Sequence, residues 1–263
     1  MRLVTWNINS LKVRLPRLEA WIRVNAPDIV LLQETKCTDA AFPAMAFSAL
    51  GYESVHHGDG RWNGVAIISR IGVDDVRSGF SDQPSDSANE RRIISATCGG
   101  VRCFSVYVPN GRVVGSPFYA AKLEWLAELR RELDATCSPD DEVLVAGDFN
   151  VALEDRDVWD ITKFEGATHV TPEERGALHR VMDFGLADVV REQHPSETGP
   201  FSWWDYRAGS FHKGEGMRID LVLASKSLAR RVNAAFVDRE ARKKGQIAEP
   251  PSDHAPVIVD FAN

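Results

Sequence analysis

Four short stretches of this sequence are apolar at every consecutive residue, and this pattern limits the possible folds more than any other feature. They cover residues 29–32, 143–145, 221–223 and 257–259. Successive side chains of a β-strand point to opposite faces, so a strand that is apolar throughout is buried on both faces. Two packed sheets with helices outside them would bury such strands, and so would a single doubly wound sheet. Both arrangements belong to the α/β class.

Short strand-like runs alternate with helical stretches along the whole chain. The sequence predicts strands at 3–9, 28–33, 65–69, 93–98, 102–108, 142–146, 219–224, 234–237 and 257–261, helices at 16–25 and 119–135, and a polar loop at 81–90. A further helix begins at Thr171, because Pro172 and Glu174 complete a capping box with proline in the first turn. No linker rich in glycine, serine or proline interrupts the pattern. We therefore expect a single domain over residues 1–263.

Charge and cysteine usage narrow the class of protein. The net charge of −7 excludes a protein whose whole surface coats nucleic acid, although an enzyme with one basic face remains compatible with it. The four cysteines lack zinc-site spacing, so we expect reduced thiols; the alternative is a Cys98–Cys103 pair across a hairpin. The apolar runs are too short to cross a bilayer, and no signal sequence precedes the first strand. We expect a cytoplasmic protein without membrane contact.

Polar side chains cluster where the predicted strands end or begin. The positions are Asn7, Glu34, Tyr107, Asp148, Asn150, Asp220, Asp253 and His254. Each has an ordinary explanation by itself, because Asp and Asn often start turns and exposed Glu or His residues are common. Together they occupy the kind of strand-end positions where catalytic residues collect. Since some follow strands and others precede them, their meeting at one place requires mixed sheets.

The spacing of these residues indicates how they could act together. Asp148 and Asn150 are two positions apart, so in an extended strand their side chains share a face. Asp253 and His254 are adjacent and point apart in extended chain, which leaves Asp220 as the candidate carboxylate that holds the His254 imidazole. Carboxylates without thiols or paired histidines are hard oxygen ligands, and they suit Mg²⁺ or Mn²⁺ rather than zinc.

The sequence resembles the exonuclease III family over its whole length, through motifs that follow one another in the family's order. They are N-I-N, L-Q-E-T-K, Y-V-P-N-G, G-D-F-N, R-I-D-L-V-L-A-S and S-D-H-A-P-V, with R-R-I-I and F-S-W-W-D-Y-R as further matches. Members of this family are class II abasic-site endonucleases of the endonuclease/exonuclease/phosphatase superfamily. The resemblance implies a DNase I-like four-layer α/β sandwich, in which two mixed β-sheets pack face to face and are flanked by helices.

The resemblance also implies a reaction, the metal-dependent hydrolysis of DNA phosphodiesters 5′ to abasic sites or at 3′ ends during base excision repair. Glu34 resembles the principal Mg²⁺ ligand, with Asn7 and Asp253 nearby and Asp148 and Asn150 as further candidates. Asp148 would deprotonate the attacking water, and Asn150 would fix its approach. The number of metal ions, one or two, is left open.

The remaining matched positions imply electrophiles around the phosphate. His254, held by Asp220, and Tyr107 would bind the non-bridging oxygens as charge builds on them. The protonation states of Tyr107 and His254 are left open.

Substrate contacts are expected in the loops. Trp203, Met217 and Ile219 match the aromatic wall and apolar lining of the family's abasic pocket, although one of the two adjacent tryptophans is expected in the core. Asn110 and Arg112 match positions of phosphate and groove contacts. A basic patch before the S-D-H motif would add to them, unless it is only a solvated face; its members are Arg239, Arg242, Lys243 and Lys244.

The expected partner is double-stranded DNA with abasic sites or blocked 3′ ends, bound by a monomer. Two alternatives stay open. Another phosphoesterase of the superfamily, acting on a lipid or sugar phosphate, would share the acidic residues and the histidine but not R-I-D-L-V-L-A-S. A non-catalytic nucleic-acid-binding relative would have lost a metal or base position, whereas every such position is filled here.

Overall fold

The computed structural model describes residues 1–60, 62–81, 90–245 and 247–262, so most of the predicted loop at 81–90 lies outside it. The strands are β1 (Arg2–Asn7), β2 (Ile29–Gln33), β3 (Glu53–His57), β4 (Val65–Ser69), β5 (Asp74–Ser78), β6 (Ile93–Cys98), β7 (Val101–Tyr107), β8 (Val143–Asp148), β9 (Leu186–Asp188), β10 (Trp203–Trp204), β11 (Gly216–Met217), β12 (Asp220–Ser225), β13 (Val232–Val237) and β14 (Val257–Phe261). The helices are α1 (Leu11–Asn25), α2 (Ala44–Ser48), α3 (Pro117–Thr136), α4 (Pro172–Met182), α5 (Val189–Gln193), α6 (Ser210–Lys213) and α7 (Lys226–Ala229).

The strands form two six-stranded sheets and a short two-stranded ribbon of β10 and β11. The first sheet has the order β13-β14-β1-β2-β4-β3, and the second has the order β5-β6-β7-β8-β12-β9. β1 pairs with β2 in parallel and β7 pairs with β8 in parallel, whereas neighbours such as β1 and β14 or β8 and β12 are antiparallel. Both large sheets are mixed, as the placement of polar residues predicted.

Alternate side chains of the inner strands enter different cores, which explains why these strands are apolar throughout. In β8, Leu144 and Ala146 join the core between the two sheets, while Val143 and Val145 join the core beneath α3. β1 divides its side chains in the same way between the second sheet and α1. The architecture is therefore the four-layer sandwich rather than one doubly wound sheet.

Helix α1 begins at Leu11, whereas the sequence predicted a start at residue 16. Pro16 lies inside the helix and removes one backbone N–H from its hydrogen-bond pattern. Leu11, Leu18 and Ile22 are buried against the first sheet, and this apolar face offsets the lost bond. The prediction was wrong because it treated the proline as a boundary.

The structure also contains strands that the sequence did not predict. Every side chain of β5 is exposed, so this edge strand has no apolar alternation to find. β3 is an edge strand with three half-buried residues and one buried one, and these do not alternate with exposed positions either. The capping box at Thr171 is confirmed, since its side chain accepts from Glu174 N. All four cysteines are free. None of the helices in the described part of the chain has the length and apolar character that a membrane span requires.

Candidate active site

Polar side chains from both sheets meet at one end of the sandwich. Asn7 ends β1 and Glu34 follows β2 in the first sheet, while Asp148 ends β8 in the second. β12 runs antiparallel to β8 with Asp220 opposite Asp148, so the start of one strand lies beside the end of the other. His254 lies just before β14. Because β14 runs antiparallel to β1, its start lies beside the end of β1 that carries Asn7. The mixed sheets thus gather strand ends and strand starts at one place.

Glu34, Asp148 and His254 form a compact group within the described residues. Each offers one ligand atom, and these atoms lie within 4.8 Å of one another. Asn7 joins the two carboxylates, because its Nδ2 donates to Glu34 Oε1 at 2.8 Å and to Asp148 Oδ2 at 2.9 Å. The two carboxylates are hard oxygen donors of the kind that hold Mg²⁺ or Mn²⁺, so the residues present fit a metal ion.

Glu34 is held in an uncommon backbone conformation. Its φ of 51° lies in the left-handed region, which costs a non-glycine residue on the order of 1 kcal/mol or more and is often found at functional sites. Ser10 N donates to Glu34 O at 2.7 Å, and Lys36 Nζ lies 2.8 Å from Glu34 Oε2. The Lys36 ammonium also donates to Asn9 Oδ1. Sequence reasoning gave no role to Lys36, although it lies inside the L-Q-E-T-K motif.

His254 is paired with Asp220 and is buried with it. Its Nδ1 lies 2.8 Å from Asp220 Oδ2, and its Nε2 lies 3.8 Å from Asp148 Oδ2. Burial disfavours charge on the imidazole, but the charge of Asp220 and its hydrogen bond outweigh burial and raise the His254 pKa to about 10. Nδ1–H therefore donates to Asp220, and a charged Nε2–H points toward Asp148.

The pKa of Asp148 is also raised, but in a carboxyl group a raised pKa favours the neutral form. Burial is the largest cause that raises its pKa to about 7, and the charges of Asp220 and Glu34 act in the same direction. The charge of His254 and the hydrogen bond from Asn7 partly offset them. A carboxylate whose pKa lies near neutrality can both accept and release a proton at physiological pH. Asp148 is thus suited to general base chemistry.

Tyr107 ends β7 directly beside Asp148 in the parallel β7–β8 ladder. Burial, followed by the negative charge of Glu34, holds the Tyr107 pKa well above its usual range. The Arg92 guanidinium lies over the Tyr107 ring, 4.5 Å from its centroid, and opposes that shift. The phenol therefore stays protonated at neutral pH and can donate a hydrogen bond into the site.

Asn150 differs from its expected geometry. β8 ends at Asp148, and Asn150 has a φ of 50°, so the two side chains do not share a strand face. The Asn150 backbone N instead donates to Asp148 Oδ1 at 2.9 Å. Its side-chain amide donates to Val108 O at 2.9 Å and accepts from Asn110 Nδ2 at 3.1 Å. Asn150 orients the Asp148 carboxylate and connects it to the loop after β7.

Asp253 lies outside the Glu34–Asp148–His254 group. Its Oδ1 accepts from Asn9 Nδ2 at 2.8 Å, and its Oδ2 accepts from Trp203 Nε1 at 3.1 Å. Burial would raise its pKa, but the charge of His254 and these hydrogen bonds outweigh burial and lower it. The side chains of Asp253 and His254 point apart, as their adjacency predicted.

The candidate pocket residues lie together beside this loop. Met217 and Ile219 are buried in a small apolar cluster, and the partly buried Trp203 packs against it. The Trp203 ring lies edge-on to His254, 6.5 Å between centroids. Trp204 is buried and packs edge-on against Phe211 at 5.1 Å. One of the two tryptophans is therefore core, and Trp203 is the one on the side of the site.

Arg218 fixes the strand segment that carries these pocket residues. Its side chain is fully buried, and its guanidinium lies 2.7 Å from Asp157 Oδ1 and 2.6 Å from Asp188 Oδ2. Two carboxylates on one guanidinium satisfy a buried cation that would otherwise be costly. Sequence reasoning quoted Arg218 only as a motif letter. It missed this role because Asp157 and Asp188 are distant in sequence.

Asn110 and Arg112 occupy the loop between β7 and α3. The Arg112 backbone N donates to Asn110 Oδ1 at 3.1 Å, which gives this turn a defined shape. The exposed Arg112 guanidinium lies over the Phe118 ring, 3.7 Å from its centroid. The Asn110 contact with Asn150 ties this loop to the Asp148 strand end.

Comparisons with known proteins identify the family of this chain. A family model described as the endonuclease/exonuclease/phosphatase family matches residues 4–254. Exodeoxyribonuclease III of Haemophilus influenzae is 33% identical, over 99% of this chain and 100% of its own. An AP endonuclease from Archaeoglobus fulgidus is 35% identical with a TM-score of 0.93, over 99% of both chains.

A solved relative also links this fold to DNA. The 3′ phosphatase NExo from Neisseria, solved with a product DNA hairpin bound, is 37% identical with a TM-score of 0.93 over 100% of both chains. These matches above 30% identity cover 99–100% of this chain. This chain belongs to the endonuclease/exonuclease/phosphatase family and, within it, to the group of exonuclease III and AP endonucleases.

Proposed function

We propose that this protein hydrolyses DNA phosphodiesters 5′ to abasic sites and removes blocking groups or nucleotides from 3′ ends, as an enzyme of base excision repair. The observation that carries the proposal is the convergence of Glu34, Asp148 and the His254–Asp220 pair at one strand-end cluster. Its full-length relatives are an exodeoxyribonuclease III, an AP endonuclease and a 3′ phosphatase bound to DNA, which supports DNA as the substrate rather than a lipid or sugar phosphate. Double-stranded DNA is the expected partner of a monomeric enzyme.

The proposed cofactor is Mg²⁺, with Mn²⁺ as a substitute. Glu34 would be its main charged ligand, and Asn7 would keep Glu34 and Asp148 at the correct separation. The bound ion would neutralise charge on the phosphate oxygens. Asp253 was also a candidate ligand; because its oxygens accept hydrogen bonds from Asn9 and Trp203, we propose that it positions the pocket wall.

The protein groups divide the proposed hydrolysis between them. Asp148, with a pKa of about 7, takes a proton from the attacking water, and Asn150 N–H fixes the orientation of its carboxylate. The charged His254 and the protonated Tyr107 donate hydrogen bonds to the non-bridging oxygens, on which negative charge builds during attack. The bond between phosphorus and the 3′ oxygen breaks on the side opposite the attacking water, and the departing oxygen takes a proton from solvent to become a 3′-hydroxyl.

Asp220 should act through His254 alone. We expect His254→Ala to lower the cleavage rate, Asp220→Asn to reproduce part of that loss, and the double variant to be no slower than His254→Ala. In Asp220→Asn, the His254 pKa should fall from about 10 toward its ordinary value, because its ion pair is removed. Single-turnover rates and NMR titration of the imidazole measure both effects. Fully additive rate losses would refute the pairing.

The pocket should select abasic DNA by size. An abasic sugar lacks the base that a flipped normal nucleotide carries, so a narrow apolar pocket can exclude intact DNA. We expect Trp203→Ala to weaken discrimination between abasic and intact duplex more than it slows removal of a 3′-terminal phosphate. Trp203→Phe is the matched control, because it keeps an aromatic ring and loses the Nε1–H bond to Asp253. Equal losses of Trp203→Ala on both substrates would assign Trp203 to the core.

One experiment tests the proposed function against both alternatives. The purified protein is incubated with abasic duplex, with a 3′-phosphate duplex and with a phosphoinositide, each with Mg²⁺ and with EDTA. We expect cleavage of both DNA substrates that requires Mg²⁺, and no release of phosphate from the lipid. Lipid hydrolysis without DNA cleavage would favour another phosphoesterase, and DNA binding without any hydrolysis would favour a non-catalytic relative.

A further inference from the structure

A second cavity lies next to the catalytic loop but outside the catalytic group. Its volume is about 480 Å³, and its walls come from residues 205–206, 209–212, 242–244 and 250–251. The Tyr206 hydroxyl, in one wall, donates to Pro251 O at 2.8 Å, and Pro251 immediately precedes the S-D-H motif. The cavity therefore opens beside the loop that carries Asp253 and His254, without containing either residue.

Arg242 is the unusual residue of this cavity. Its side chain is almost fully buried, at 7% exposure, and its guanidinium lies near two rings, 4.9 Å from the centroid of Tyr206 and 5.1 Å from that of Phe211. Within the described part of the chain, its Nε has no hydrogen-bond partner. The charge of Asp253 reaches the Arg242 guanidinium without outweighing the cost of burial. The buried cation is therefore only partly compensated, and its Nε–H is free to donate to an anion.

The surroundings of Arg242 add positive charge. Lys243 and Lys244 also line the cavity and are exposed to solvent. Lys243 pairs with Glu240 at 2.6 Å on the surface, where such pairs contribute little. The acidic lining residue Asp205 accepts a hydrogen bond from the backbone N–H two residues later. Three members of the predicted basic patch thus line this cavity, with Arg242 buried and the two lysines exposed, whereas Arg239 donates to Phe211 O at 2.8 Å.

The cavity walls are fixed by contacts from α1. Arg14 donates through Nε to Pro250 O at 3.3 Å and through Nη2 to the Tyr206 hydroxyl at 3.1 Å. Arg17 donates through Nε to Glu249 O at 2.6 Å and also binds the carbonyl oxygen of Lys244. These bonds hold the backbone of the second wall in place. An anion would therefore enter a preformed site, and its binding would lose little free energy to the ordering of protein segments.

We propose that this cavity binds a backbone phosphate of the DNA substrate at a distance from the cleaved bond, with Arg242 as its buried cation and Lys243 and Lys244 at its mouth. The identity of the ligand as DNA rests on the proposed function. A guanidinium matches a phosphate group in shape and in hydrogen-bond donors. Neighbouring lysines neutralise adjacent phosphates of the same strand. This site holds the duplex while the catalytic group acts on another phosphate.

The test is the salt dependence of DNA binding in EDTA, so that no cleavage is needed. We expect Arg242→Met to reduce the slope of log K against log [salt] by about one. The affinities for abasic and for intact duplex should fall by the same factor, because a phosphate contact carries no sequence information. Arg230→Met is the matched control; this exposed arginine follows β12 at the end of the sheet remote from Asp220. Its slope should stay close to that of the unmodified protein.

Arg242→Met could fail to fold, and its thermal unfolding curve would show this. A second variant therefore tests the proposal independently. Lys243→Gln combined with Lys244→Gln changes exposed side chains only and should also reduce the slope. Slopes equal to that of the unmodified protein in both variants would overturn the proposal. Arg242-dependent binding of inorganic phosphate or a deoxynucleoside monophosphate, with an unchanged DNA slope, would instead identify a small-anion site and refute the DNA assignment.

These outcomes separate this proposal from the proposed function. A protein that binds DNA through Arg242 but cleaves none would refute the enzymatic function and leave the phosphate site standing. If the protein cleaves abasic DNA but neither variant changes its salt slope, the enzymatic function stands and the phosphate site is refuted.

Discussion

Asp148→Asn should lower the rate of DNA cleavage by roughly 10² or more while DNA binding survives. The substitution keeps the size of the side chain and the acceptor for Asn150 N–H, but it removes the carboxylate whose pKa of about 7 suits it to take a proton. Single-turnover cleavage with Mg²⁺ and duplex affinity in EDTA measure the two quantities separately. The exposed Asp134→Asn is the control for the chemical change alone.

A different outcome would change the role of Asp148. If binding and cleavage fell by the same factor, the carboxylate would be positioning DNA. If the rate fell only a few-fold, the proton acceptor would be another group. A thermal unfolding curve close to that of the unmodified protein is required for either conclusion.

Glu34→Ala should lower the rate of cleavage at modest Mg²⁺ by on the order of 10² or more, because the cation loses its main charged ligand. The fold should persist, since Glu34 lies after β2 rather than within the sheet. Calorimetric titration with Mg²⁺ gives a readout that does not depend on activity, and it should show weaker binding. Glu53→Ala on the exposed edge strand β3 is the control.

Two results would contradict this assignment of Glu34. One is near-normal activity of Glu34→Ala at modest Mg²⁺. The other is equal activity of the unmodified protein in EDTA and in Mg²⁺, which would remove the need for a metal ligand altogether.

The fold was predictable where burial leaves a pattern in the sequence and unpredictable where it does not. β8 and β14 are apolar on both faces, and both were found within a few residues. β5 is exposed throughout, and its pairing with β6 is decided by backbone hydrogen bonds that no side-chain pattern records. Pro16 inside α1 shows that tertiary burial overrides a local signal for a helix boundary.

The sequence predicted which residues belong to the candidate site better than it predicted which of them are in contact. Strand-end polarity indicated Glu34, Asp148 and His254, and adjacency correctly separated the side chains of Asp253 and His254. The left-handed conformation of Asn150 was not predictable, because it depends on where β8 stops hydrogen bonding. The pairing of Arg218 with Asp157 depends on contacts between segments far apart in the chain.

The bond from Asn7 on β1 to Asp148 on β8 joins the two sheets at the site, and His254 enters only through the segment before β14. β14 lies between β1 and β13, so this segment has no fixed position until the last strand is in place. During translation, Asp148 and Asp220 therefore emerge before His254, the residue that pairs with Asp220. The site is therefore completed last, because His254 is fixed beside Asp220 only when β14 pairs with β1.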